Sequence, residues 1–255
     1  WCQLFSEPGA GSDLAGLITR ARKVPGGWSL TGQKVWSSVA HEADWGICLA
    51  RTDPEAPKHR GLSYFLVDMR AKGVDVRPLR QATGRAEFNE VFLDEVFVPD
   101  ECLVGRPGEG WRLALATLAS ERVNMGADLG HGSAKLVKRL IRGGAYAAGR
   151  AEAIRVLGRN TSREMSLAAL NLRAILARVA GQDASAQASV RKVFSAIAQR
   201  QGSTDLLSLL GPEACAVATG GDYVIDHLGL PAVLFGGGTV EIQLNVIARR
   251  ILRLP

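Results

Sequence analysis

The chain has 255 residues, 47% of them hydrophobic and 22% charged, the proportions of an ordinary globular protein with room for one large or two modest domains. A formal net charge of +6 favours anionic partners such as nucleotides or CoA phosphates, but the basic residues are dispersed, which argues against nucleic acid. No apolar run reaches the roughly 18–20 residues of a membrane span, and the first residues do not read as a signal peptide.

The chain opens on an apolar stretch, Trp1-Cys2-Gln3-Leu4-Phe5, that reads as a cut through a longer protein. Leu17-Ile18-Thr19 runs through Lys23-Val24 into Pro25-Gly26-Gly27 and on to Trp28 through Trp36. Two β-branched and aromatic runs about a Pro-Gly-Gly turn predict a hairpin. Further strands are predicted at Trp45–Ala50, Leu62–Asp68, Val74–Arg77 and Glu90–Phe97, divided by Gly, Pro and Asp. Short strands at this spacing predict a closed or stacked antiparallel sheet, a β-barrel or sandwich, over residues 1–105.

Past Pro107-Gly108-Glu109-Gly110 the chain turns rich in Ala, Leu and Arg and takes on a helical period. Helices are predicted from Trp111, around Leu136, Leu140 and Ile141, and over about Ala151–Ala180, Ser185–Leu210 and Val240–Leu252. Gly143-Gly144, Gly181 and Gly211-Pro212 are their stops. The fold class is therefore α+β and multidomain, with a β-domain over 1–105 and an all-α helical bundle over 106–255.

Cys2, Cys48, Cys102 and Cys215 stand far apart with no C-x-x-C pair, and His41, His59, His131 and His227 lack metal spacing. Neither a disulfide framework nor a metal site is expected, and a reducing cytoplasm is the expected compartment.

Four glycine-bearing or aromatic motifs follow one another in order. They are Phe5-Ser6-Glu7-Pro8-Gly9-Ala10-Gly11-Ser12-Asp13, Gly32-Gln33-Lys34-Val35-Trp36-Ser37-Ser38, Phe88-Asn89-Glu90-Val91-Phe92-Leu93-Asp94-Glu95-Val96-Phe97-Val98-Pro99, and Gly236-Gly237-Gly238-Thr239-Val240-Glu241-Ile242-Gln243. Each alone is a common turn or strand. Together, spanning nearly the whole chain, they resemble the acyl-CoA dehydrogenase family. The resemblance implies a β-domain followed by a helical bundle, the family's N-terminal helical domain being absent. It also implies FAD and an acyl-CoA thioester bound where the two domains meet, a role in fatty acid or lipid metabolism, and subunits that form tetramers.

The small residues Gly9 to Ser12 let backbone N–H groups approach an anion or a ring edge, or else form a plain Ser-Glu-Pro-Gly turn. The resemblance places Phe5, Ser6, Gly11, Ser12, Trp36, Ser37, Ser38 and Thr239 at the cofactor. Ser6 matches the hydroxyl that meets the flavin's pyrimidine edge, and Ser12 also lies near the CoA thioester arm. Trp36 and Ser38 alternate in a strand and so share a face. The resemblance implies that Trp36 covers an isoalloxazine ring while Ser38 hydrogen-bonds near its N5.

Dehydrogenation at Cα–Cβ needs a carboxylate to take the α-proton as hydride leaves Cβ. Many family members carry a Glu immediately before Gly-Thr in the last motif, where this chain has Gly237. A subset that resembles isovaleryl- and long-chain-type enzymes places the Glu on a helix before an Arg, and Ser120-Glu121-Arg122 matches that position. The residues three and four positions from Glu121 are Thr117, Leu118, Asn124 and Met125, none charged, so no ion pair along the helix accounts for it. Glu121 is the expected base; a solvated surface Glu is the plain alternative. The Gly237 backbone N–H is expected to polarise the thioester carbonyl. Arg122 is expected near the substrate or in a structural ion pair.

Homotetrameric relatives carry an Arg-x-x-Phe-Gly segment and a Gln-x-x-Gly-Gly element that grip a neighbour's FAD. Here the comparable stretches read Arg155-Val156-Leu157-Gly158-Arg159-Asn160-Thr161 and Ser208-Leu209-Leu210-Gly211-Pro212. The chain resembles subunits of actinobacterial heteromeric or tandem-fused members, so a tetramer or heterotetramer with a complementary subunit is expected. Electrons would pass to an electron-transferring flavoprotein. Two other functions stay open: a non-catalytic partner subunit, and a flavin oxidase or monooxygenase on the same scaffold.

Overall fold

A computed structural model describes residues 1–124, 133–182, 185–215 and 222–254, with side chains undescribed at Glu121–Asn124, Ser185, Glu213, Cys215 and Asp222. Met125 and His131 therefore lie outside the described residues. Eight strands come first: β1 (Cys2–Leu4), β2 (Arg20–Val24), β3 (Gly27–Ser38), β4 (Trp45–Arg51), β5 (Leu62–Asp68), β6 (Val74–Leu79), β7 (Phe88–Pro99) and β8 (Leu103–Val104). The β2–β3 hairpin closes on Pro25-Gly26, where Val24 faces Gly27 across the ladder and Gly26 takes φ 77°. That is the left-handed value the second central residue of a Pro-Gly turn requires.

The strands form one sheet in the order β6-β7-β3-β2-β4-β5-β8, with β1 beside β4. The antiparallel expectation holds for five ladders but not for two. β1 runs parallel to β4, and β2 meets β4 in parallel at Arg20–Arg51. A parallel neighbour needs a long crossover, and residues 5–44 supply one. β1 and β8, with three and two residues, are too short to show a period of two and escape a reading by pattern. The predicted hairpin arm from Leu17 begins as a strand only at Arg20. Ile18 and Thr19 donate their backbone N–H groups to the Glu7 carboxylate instead of to a ladder.

Both faces of β4 are buried. Cys48 and Ala50 join Leu4, Trp28, Leu30, Phe65, Val91 and Val96 in one core, while Leu49 joins Phe5, Leu14, Leu17, Leu62 and Tyr64 in a second. That is why β4 reads as a nearly unbroken apolar run. The first turns of helix α1 (Gly110–Asn124) complete the second core through fully buried Ala114, with Trp111, Leu113 and Leu118 packed around it. Gly110 makes this approach possible, since a Cβ there would lie 2.6 Å from the Ser63 backbone. The β-unit thus extends over Trp1–Leu118, past the change of texture near residue 105.

The motif segments are fastened by a buried ion pair. Lys34 Nζ donates to Glu7 Oε1 at 2.9 Å, to the Leu49 carbonyl at 2.7 Å and to the Phe5 carbonyl at 3.2 Å. Glu7 in turn accepts from Ile18 N–H at 2.7 Å and Thr19 N–H at 2.9 Å. Neither side chain reaches solvent appreciably. Burial pushes the Glu7 carboxyl up, but the Lys34 charge and the Ile18 and Thr19 hydrogen bonds outweigh it and hold it below its ordinary value. A charge this deep is tolerable only with its hydrogen-bonding capacity met.

The second unit, Ala119–Pro255, contains helices α2 (Ser133–Gly143), α3 (Arg150–Val179), α4 (Ser185–Leu210), α5 (Asp222–Phe235) and α6 (Val240–Arg250). α4 is central, packing on α2, α3, α5 and α6. The glycine stops fall where predicted: Gly144, Gly181 and Gly211 follow α2, α3 and α4 with φ 69°, 70° and 82°. Glycine bears that left-handed turn without a Cβ clash. α5 was not foreseen, because Pro231 lies inside it. The stretch Tyr223–Arg250 also reaches the length and hydropathy of a membrane span, although Asp226, His227, Glu241 and Gln243 interrupt its apolar runs. It folds as two helices separated by a non-helical segment at residues 236–239, and lipid-exposed backbone of that kind is disfavoured within a bilayer.

Replacing Lys34 with Met is expected to leave Glu7 buried without its counter-charge and to destabilise the β-unit by about 3–5 kcal/mol. Urea denaturation of the full-length protein checks this, and a loss below about 1 kcal/mol would contradict the role given to the pair.

Candidate functional site

In the β-unit the first motif forms a tight turn. Glu7 N–H donates to the Ala10 carbonyl at 3.1 Å and Ala10 N–H to the Glu7 carbonyl at 3.0 Å, with Pro8 and Gly9 at the tip. Gly11 and Ser12 follow on the surface, and a Cβ at Gly9 or Gly11 would meet no atom within 4 Å. Nothing in the fold's own packing demands glycine at either place, which leaves their backbone open to a close external contact. Asp13 is fastened to Lys58. Behind the turn, Arg51 donates to the Ala15 carbonyl at 2.7 Å and the Leu17 carbonyl at 3.2 Å, so residues 15–19 are held from two sides, by Arg51 and by Glu7.

The second motif lies alongside. Val35 N–H donates to the Ser6 carbonyl at 2.9 Å, which brings Ser6 beside the residue that precedes Trp36. Lys34 faces Val91 in the β3–β7 ladder but Ser37 faces Asn89, so Val35 and Trp36 together oppose the single residue Glu90. This is a β-bulge, and Trp36 sits in it with φ 60°. Left-handed backbone at a bulky residue is strained and persists only where its surroundings impose it. The bulge turns the indole outward: Trp36 is 61% exposed, meeting Phe88 edge-on at 5.9 Å. Ser38 is exposed beside it, while Ser37 is buried and its Oγ has no hydrogen-bond partner.

The predicted residues therefore divide. Ser6, Gly11, Ser12, Trp36 and Ser38 offer accessible atoms in segments tied together by the Ser6–Val35 hydrogen bond and the Glu7–Lys34 pair. Phe5 and Ser37 do not. The Phe5 ring is core, edge-on to Tyr64 at 5.8 Å, and its carbonyl accepts from Lys34. The Ser37 side chain points inward because the bulge shifts the alternation by one residue. Lys34, Glu7 and Asn89 were not singled out from the sequence. The available signal was a lysine in an otherwise apolar strand motif with a glutamate in the preceding one.

In the helical unit, Thr239 caps α6: its Oγ1 accepts from Ile242 N–H at 3.2 Å, the preferred role of a threonine at a helix start. Gly237 and Gly238 both take left-handed backbone, with φ 67° and 94°. A Cβ at Gly238 would lie 2.5 Å from Gln243 Nε2, and that buried amide donates to the Gly237 carbonyl at 3.1 Å. The loop is thus a shaped turn rather than a slack one. Among the described residues no carbonyl accepts from Gly237 N–H, which keeps that donor available. Phe235 and Val240, at either end of the loop, line a cleft of ≈ 640 Å³ with Arg163, Arg200, Asp205 and Glu241. Glu121 and Arg122 stand in the last turn of α1, and their side chains lie outside the described residues.

The family model for the acyl-CoA dehydrogenase middle domain matches residues 2–96, and that for the C-terminal domain matches residues 108–252. Acyl-CoA dehydrogenase FadE34 of Mycobacterium tuberculosis is 50% identical over 257 residues, covering 100% of this chain and 35% of the relative. The chain therefore spans about a third of that protein. Acyl-CoA dehydrogenase IpdE1 of the same organism is 37% identical over 270 residues, covering 100% of this chain and 67% of the relative. Among solved structures, the Tcur3481-Tcur3483 steroid ACAD superposes with a TM-score of 0.89 at 27% identity, covering 100% of this chain and 68% of that one. The ChsE4-ChsE5 complex from Mycobacterium tuberculosis does so with 0.85 at 30% identity, with the same coverage of both chains.

Trp36→Gly separates strain from function. Relief of the left-handed backbone offsets the lost ring contact, so unfolding free energy is expected to stay within about 1 kcal/mol. FAD affinity of the full-length protein is expected to fall about tenfold or more, read by flavin titration. Unaltered affinity would remove Trp36 from the cofactor site.

Proposed function

Because this chain belongs to the acyl-CoA dehydrogenase family, we propose that it carries out, with FAD, the α,β-dehydrogenation of an acyl-CoA thioester. The observation that carries the reading is Trp36: a large aromatic ring held outward by a strained bulge, with the exposed Ser38 hydroxyl two residues on and Ser6 fastened alongside. Strain of this kind is retained where a function uses it. The family is FAD-dependent, and the surface described above suits a flavin, with open glycine backbone at Gly9 and Gly11 and a free indole face. Ser6, Gly11, Ser12, Trp36, Ser38 and Thr239 are the residues that would hold it. When bound, FAD supplies the acceptor for the hydride that leaves Cβ.

The chain's own residues then have three tasks. Glu121 takes the α-proton; the residues three and four positions from it, Thr117, Leu118, Asn124 and Met125, carry no charge. The Gly237 N–H polarises the thioester carbonyl and stabilises the enolate-like charge that develops. Loss of a side chain at that position leaves the backbone donor intact. Arg122 and Ser12 are assigned to the substrate. A bulky acyl group is favoured by analogy with the Tcur3481-Tcur3483 steroid ACAD. The electron acceptor is an electron-transferring flavoprotein, and the compartment is the cytoplasm.

A complementary subunit completes the reading. Arg155 is paired with Glu152 at 2.8 Å, Arg159 with Glu152 at 3.1 Å and Asp205 at 3.2 Å, and Arg163 with Asp205 at 2.5 Å. The arginines where a neighbour's FAD would be gripped are thus engaged within the chain. On α3, Met165, Leu172, Ile175, Leu176 and Val179 are exposed at helical spacing, an apolar stripe that suits subunit association.

Glu121→Gln in the full-length protein is expected to retain FAD and to abolish its bleaching by acyl-CoA under anaerobic conditions; bleaching at the unaltered rate would place the base elsewhere. Purified without its complementary subunit, the full-length protein is expected to hold clearly less than one FAD per chain. Full saturation alone would refute the pairing.

A further inference from the structure

At Trp36, within β3, and at Val39, just past its end, the backbone departs from regular geometry twice. Trp36 takes φ 60° in the bulge and Val39 takes φ 47°, a value rare for a β-branched residue. The segment between them is held from β7. Asn89 lies opposite Ser37 in the ladder and is 0% exposed. Its Nδ2 donates to the Ser37 carbonyl at 2.9 Å, and its Oδ1 lies 3.0 Å from His41 Nδ1.

These two contacts determine each other. A carbonyl oxygen only accepts, so the amide nitrogen of Asn89 must face Ser37 and its oxygen must face His41. That oxygen also only accepts, which places a proton on His41 Nδ1. The amide and the ring thus form one directional chain ending on the backbone between Trp36 and Ser38. Phe88, the residue before Asn89, supplies the ring against which Trp36 rests.

We infer that Asn89, oriented by His41, is a positioning residue that sets the direction of the Trp36 ring and the Ser38 hydroxyl toward the flavin. The inference rests on the reading of Trp36 and Ser38 as the flavin wall. A bulge costs the strand its regular ladder, and a side-chain amide restores the missing constraint at the place where two side chains must be aimed. Displacement of such a wall by a fraction of an ångström changes the rate of a reaction more than it changes substrate affinity.

The test uses the full-length FAD-loaded protein with Asn89→Ala and with Asn89→Asp, which keeps the shape but presents no N–H to the Ser37 carbonyl. Both variants are expected to alter the visible circular dichroism of the bound flavin. Both are also expected to slow its reduction by acyl-CoA about tenfold, with KM changed less than about twofold. In the FAD-free protein, hydrogen exchange at Trp36–Ser38 is expected to rise. Unchanged flavin dichroism and an unchanged reduction rate in both variants overturn the inference while leaving the proposed function standing. If Asn89 variants do not fold, His41→Ala decides, since that ring is partly solvent-exposed: the same dichroic change is expected in smaller degree, and its absence overturns the inference. An unaltered protein that bound no FAD even in complex with its complementary subunit would instead overturn the proposed function, and this inference with it.

Discussion

The Glu7–Lys34 ion pair organises the β-unit. It joins a turn near the start of the chain to the middle of β3, and its hydrogen bonds reach Phe5, Leu49, Ile18 and Thr19. In a protein interior such a pair gives little net stability relative to apolar residues of the same volume, because desolvation offsets attraction. Its value is directional. Hydrophobic contacts between these segments would tolerate sliding, whereas an ammonium with three acceptors and a carboxylate with three donors fit one register only. Ser6, next to Glu7, and Trp36, two residues past Lys34, are thereby held close through the Val35–Ser6 hydrogen bond.

A second constraint acts on the aim of individual side chains. Regular alternation along β3 would put Trp36 on the same side as buried Lys34. The bulge at Val35–Trp36 reverses it, so the indole emerges on the surface and Ser37 takes the inward place. Left-handed backbone at Trp36 and Val39 is the local cost, and the Asn89 amide and the Phe88 ring stabilise the result. The helical unit uses glycine to a similar end. Gly237 and Gly238 adopt backbone that other residues rarely take, Thr239 caps the following helix, and Gln243 returns to hold the Gly237 carbonyl. A carboxylate is absent at Gly237, but a shaped backbone is not, and no carbonyl among the described residues accepts from its N–H.

Much of this was legible in the sequence. The Pro25-Gly26 turn, the six longer strands, the glycine stops after α2, α3 and α4 and the order of the four motifs are local properties, set by which φ values a residue tolerates and by hydrophobic period. β1 and β8 are too short to carry a period, and Pro231 conceals α5. The division between Phe5, which is core, and Ser6, which is accessible, is also invisible from spacing alone, since both belong to one motif.

By itself, then, the sequence determined the two kinds of domain and their chain order, and it named candidate residues for a flavin and thioester site. The tertiary structure alone decided which of those residues face outward, because a single extra residue in one strand inverts every side chain near it and no local pattern records that insertion. It alone also paired Glu7 with Lys34 and Asn89 with Ser37. These partners lie 27 and 52 residues apart along the chain, and only the sheet brings them within hydrogen-bonding distance.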